Sequence, residues 1–153
     1  MATITLETST YRDAGEIFDL VRGFETCALP RERWTHAAHL TVALWYLLQY
    51  DWPEATARVR EGIKRLNAAH GVVTTRERGY HETLTLFWLR HVRAFLERDY
   101  NEARPLVPLA NELIARSDKA LPLRHYTRER LFSWEARLGW VEPDLKTVSS
   151  LES

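Results

Sequence analysis

A chain of 153 residues with 45% hydrophobic content is long enough for one globular core and too apolar for a disordered segment. Its 21 basic and 21 acidic side chains cancel, so its overall charge draws it neither to nucleic acid nor to an acidic membrane. Cys27 is the only cysteine, which excludes an internal disulfide framework and a thiolate cluster; with no secretory leader and no apolar run of spanning length, the expectation is a soluble, cytoplasmic protein.

In chain order, Ser9 or Thr10 is expected to cap a first helix over residues 11–24, where Ala14, Ile17, Phe18 and Val21 form one apolar stripe. Cys27-Ala28-Leu29-Pro30 breaks it. A second helix is expected from Arg33 to Tyr50, and Pro53 opens a third that runs to Ala69, with Gly71 ending it. Residues 71–79 form the longest internal loop. The fourth helix takes Tyr80 to Arg98 and the fifth Asn101 to Ser117, with Pro105 and Pro108 constraining its start. After Leu121-Pro122-Leu123 comes a sixth helix, Tyr126 to Leu138, then an extended tail from Trp140 to Leu145 and a frayed, serine-rich end. No segment alternates with the period of a strand. The fold class is therefore all-α: a single domain, 1–153, of about six helices.

Asp51-Trp52-Pro53-Glu54-Ala55 recurs as Asp99-Tyr100-Asn101-Glu102-Ala103, each an acidic, aromatic turn between two helices. At that offset the stripe His36, Leu40, Leu44, Leu47 falls on Leu84, Trp88, Val92, Phe95, both spaced i, i+4, i+8, i+11. The joints resemble those of tetratricopeptide helical hairpins. Stacked as such repeats are, the second and fourth helices would run parallel with their N-termini at one end and the two joints side by side at the other.

That arrangement would bring Trp34-Thr35-His36-Ala37-Ala38-His39-Leu40 and Gly79-Tyr80-His81-Glu82-Thr83 together. His36 and His39 lie about 60° apart on a helix, and His81 is offset by about 4.5 Å along the axis, within reach of a shared ion. Three neutral imidazoles suit zinc or copper; two with a carboxylate suit non-haem iron, so the implied cofactor is a divalent transition metal, zinc, iron or copper. Glu82 is the candidate carboxylate, as ligand or as acid/base beside a metal-bound water, although it lies about 100° from His81 on a regular helix. Two alternatives stand beside this. The histidines could be core residues bonded to carbonyls. They could also line an anion pocket, since helix N-termini carry partial positive charge.

Trp34 and Trp88 are candidate apolar walls for a small organic ligand, and Tyr80, Thr85, Asn67 and Tyr126 candidate polar contacts. His70, before Gly71, reads as a helix C-cap, His91 as a rim or surface residue, and Arg137 as part of a solvated charged face.

The segments W-T-H-x-x-H-L and G-Y-H-E-T, with the tail Ala136-Arg137-Leu138-Gly139-Trp140-Val141-Glu142-Pro143-Asp144-Leu145, resemble those of small all-helical bacterial proteins of unknown function. The resemblance spans Trp34 to Leu145 and implies a fold but no activity. DinB-like helical bundles, which bind a metal through three histidines, offer an analogy only, because their late pair of histidines four residues apart is absent here. The leading reading is a metal-dependent enzyme acting on a small organic molecule, with His36, His39 and His81 as ligands. A helical-repeat scaffold without catalysis and a metal or ligand sensor are the alternatives.

Overall fold

The computed structural model describes residues 10–145. Their regular structure is helical: α1 (Ala14–Thr26), α2 (His36–Gln49), α3 (Trp52–Ala69), α4 (Glu82–Asp99), α5 (Leu106–Ala115), α6 (Arg128–Leu131) and α7 (Trp134–Leu138), with 3-10 turns at Arg31–Arg33 and Leu121–Arg124. None of these helices is long and apolar enough to cross a membrane.

Local capping explains where the helices start. Asp13, rather than Thr10, caps α1 by accepting the Glu16 N–H; Ser9, the other expected cap, lies outside the described residues. Thr35 accepts the Ala38 N–H at 3.2 Å, so α2 opens at His36 and Arg31–Arg33 winds separately. Asp51 caps α3 with Pro53 in its first turn, and Gly71 follows its end in the left-handed region at φ 74°. Ser133 accepts the Ala136 N–H and donates to the Arg130 carbonyl, which divides the expected sixth helix into α6 and α7.

α2 is the central element. It packs against α1, α3, α4 and α5, and residues on most of its circumference are buried, including Leu40, Val42, Leu44 and Tyr46. The pairing of α2 with α4 agrees with the sequence offset, and Arg93 on the later half of α4 lies over the Trp52 ring at 4.0 Å. The second copy of the joint departs from the first. Asn101 accepts the Ala103 N–H in a turn, α5 begins only after Pro105, and it packs on α2 and α1. Glu102 and Ala103 thus lie outside any helix, and the tetratricopeptide-like stacking is not supported.

Two apolar clusters result. The larger joins α1 to α5; the smaller surrounds Phe87, Tyr126 and Leu131. The tail after α7 carries no helix among its described residues and is tied down at several points: Val141 N–H donates to Thr83 Oγ1 at 3.2 Å, Arg130 Nε to the Glu142 carbonyl at 2.6 Å, and Leu145 N–H to the His125 carbonyl at 2.9 Å.

Gly62 marks the tightest helix contact. A Cβ built there would stand 2.3 Å from Cζ of Phe24, a ring with no exposed surface, so the aromatic ring itself must move. Gly62→Ala is expected to cost about 1–3 kcal/mol through overpacking, in spite of the better helix propensity of alanine. Because Phe24 stacks on Trp34 with centroids 5.2 Å apart, the shift should also reach the indole described below. Urea unfolding with tryptophan fluorescence checks both effects; an unchanged midpoint would show that the ring yields freely.

Candidate functional site

Where the two clusters meet, a cavity of about 750 Å³ opens between the first turns of α2 and α4 and the second half of α3. His36, His39, His70 and His81 all line it, as do Trp34, Trp88, Tyr80, Thr85 and Asn67. Five of the six polar and aromatic ligand contacts expected from sequence thus share one space. The sixth, Tyr126, does not: it is fully buried and its hydroxyl donates to the Val141 carbonyl at 2.7 Å, anchoring the tail.

Each imidazole is held by a different carbonyl. His36 donates from Nε2 to the Ser117 carbonyl at 3.1 Å, after α5. His70 donates from Nε2 to the Leu29 carbonyl at 2.8 Å, so it ties α3 to the loop after α1 and does not cap its own helix by its side chain. His81, 7% exposed, is committed twice: Nε2–H donates to the Leu131 carbonyl at 2.8 Å and Nδ1 accepts the Leu84 N–H at 3.1 Å as the N-cap of α4. Arg137, buried contrary to expectation, donates to the Gly79 and Tyr80 carbonyls and holds the approach to that cap. His39 differs from these three. Its Nδ1–H donates to the Thr35 carbonyl one turn back at 2.8 Å, and Nε2 makes no hydrogen bond to the described residues.

This geometry does not support the metal reading. Among the described residues no three His, Cys, Asp or Glu side chains are grouped to hold an ion. His81 has no lone pair left to donate, and the free nitrogens of His36 and His39 fall short of the three protein donors that a catalytic zinc takes. Glu82 is also elsewhere. Its carboxylate receives Arg60 through Nε at 3.0 Å and a second nitrogen at 2.7 Å, and accepts the Tyr80 hydroxyl. Burial by itself raises its pKa, but the bonds from Arg60 and Tyr80 outweigh that and hold the carboxyl below its ordinary value. Glu82 lines a smaller neighbouring pocket with Lys64 and Arg137, and Tyr80 lines both.

No protein-family model, curated protein or solved structure matches the chain.

Desolvation inside the cavity holds the His39 imidazole down to about 4, with the charges of His36 and Lys119 acting in the same direction and the Thr35 carbonyl opposing them. The ring is neutral at pH 7, protonated on Nδ1, and presents a lone pair on Nε2. It lies against Trp34 with ring centroids 3.8 Å apart, and Trp34 in turn rests on Phe24. Across the cavity, Trp88 is edge-on to His36 at 4.8 Å and to His91 at 5.3 Å.

The shared partner of His36 and His91 escapes a reading of the sequence. His91 is half-buried and bonded through Nε2 to Ser117 Oγ at 2.9 Å, and desolvation pushes it down to about 4 as well. Ser117 therefore anchors both His36 and His91. His70 was detectable: Val59, Ile63, Asn67 and His70 repeat the i, i+4, i+8, i+11 stripe, and all four line the cavity.

Proposed function

We propose that the protein binds a small, planar organic molecule in this cavity, between the Trp34 and Trp88 indoles, and that His39 accepts a hydrogen bond from it. The observation that carries this reading is the His39 Nε2 atom: a fixed acceptor, with its tautomer set by Thr35, in a space of the size and aromatic character of ligand pockets. A general-base role for His39 is the second reading, favoured by the same carbonyl-anchored tautomer. Binding is preferred over turnover because a ring held near 4 offers little driving force for taking a proton at pH 7.

His39→Phe tests it. The ring contact with Trp34 is kept and only the nitrogens are lost. Titration calorimetry with 2-naphthol, a planar donor, should show binding to the parent and about tenfold weaker binding to the variant, the loss of roughly one hydrogen bond. Equal affinity in the two proteins would remove His39 from the site, and no binding to the parent would overturn the cavity reading.

A further inference from the structure

We infer that the natural ligand is a small organic anion, with its apolar body between the indoles and its charged group at the cavity mouth among Arg31, Arg78 and Lys119; this rests on the reading of the cavity as a small-molecule site. The chain carries 21 acidic side chains against 21 basic ones, yet no aspartate or glutamate lines the cavity. Its charged lining is wholly cationic. Arg31, Arg78 and Lys119 are exposed, so they stand where the cavity meets solvent, and they come from three separate connections: the turn before α2, the loop before α4 and the segment after α5.

These three cations make no ion pair with the described residues, whereas Arg60, Arg104 and Arg116 are each bonded to a carboxylate. The ammonium of Lys119 is close enough to His39 to disfavour its imidazolium, which ties the mouth to the acceptor inside. The first turns of α2 and α4 add the positive ends of two helix dipoles to the same space. A cation would therefore meet three like charges and two unfavourable helix ends. A neutral molecule would use the walls and leave the mouth idle. An anion with an aromatic body and a hydroxyl uses all three parts: mouth, indoles and His39.

The test compares two isosteric probes on the full chain, 6-hydroxy-2-naphthoate and 6-hydroxy-2-naphthamide, by titration calorimetry at low salt. The naphthoate should bind about tenfold or more tightly than the amide, and about 1 M NaCl should shrink that preference by screening the exposed charges. The double variant R78E/K119E changes only exposed side chains. It should weaken the naphthoate about tenfold or more beyond any effect on the amide, so that the preference is lost. An amide that binds as tightly as the naphthoate, or a double variant with unaltered preference, would overturn the anion assignment while leaving the cavity reading standing. Failure of both probes to bind the parent would overturn the two together.

Discussion

Acidification from pH 7 to pH 5 is expected to cost the fold on the order of 4 kcal/mol, well before the carboxylates titrate. The cause is that His39 and His91 are both folded into desolvated positions that hold them near 4, against 6.5 for a free imidazole. An unfolded chain takes up these protons first, so stability is fully present above about 6.5, declines as the pH falls, and has lost the whole contribution near 4. At pH 5 each ring has given up roughly 2 kcal/mol, at about 1.4 kcal/mol per pH unit. His81, also lowered chiefly by burial, acts in the same direction. Glu82, Glu112 and Asp144 are held below their ordinary values, so they contribute only at still lower pH. Urea midpoints at pH 7, 6 and 5 read the effect directly, and His39→Phe should flatten the curve by about half while raising stability at pH 5 relative to the parent. A parent whose midpoint does not move between pH 7 and 5 would show that these rings are hydrated in solution.

His81→Ala should destabilise the protein by about 2–4 kcal/mol, as much as a core truncation. Two bonds disappear at once: the Leu84 N–H loses its cap, and the Leu131 carbonyl loses its donor in the smaller cluster. Leu44→Ala, at a position with no exposed surface, should cost a similar 2–5 kcal/mol through lost transfer energy and the remaining cavity. His81→Asn separates the two bonds. Asparagine caps a helix well but is too short to span the same path to Leu131, so about half the loss should remain. Chemical denaturation of the three variants checks the order, with metal content measured alongside. A His81→Ala protein as stable as the parent but depleted of a metal the parent carries would restore the ligand role that the hydrogen bonds argue against.

The all-helical class and most helix positions were legible in the order of the residues, because a 3.6-residue period and its breakers are local signals. The aligned stripes of α2 and α4 also pointed to part of the cavity lining, with His36, His39, His81 and Trp34 at neighbouring helix starts and Trp88 further along α4, whereas Tyr126, expected beside them, is buried elsewhere. Tyr80, which adjoins the start of α4, and Asn67, on α3, line the same cavity. Helix boundaries shifted by a few residues where one capping side chain outcompeted another, as Asp13 did Thr10. What each nitrogen does depends on contacts between distant parts of the chain. The carbonyls of Leu29, Ser117 and Leu131 come from distant points in the chain, and they turn three plausible metal or capping histidines into hydrogen-bond donors. His39 escaped because its partner, Thr35, is its own helix cap. Glu82 follows His81 in sequence but bonds Arg60, since His81 as the N-cap is still extended backbone and the helix begins only at Glu82. The cationic mouth is likewise invisible in a chain of zero net charge, because Arg31, Arg78 and Lys119 lie in three separate connections and only packing of the helices brings them together.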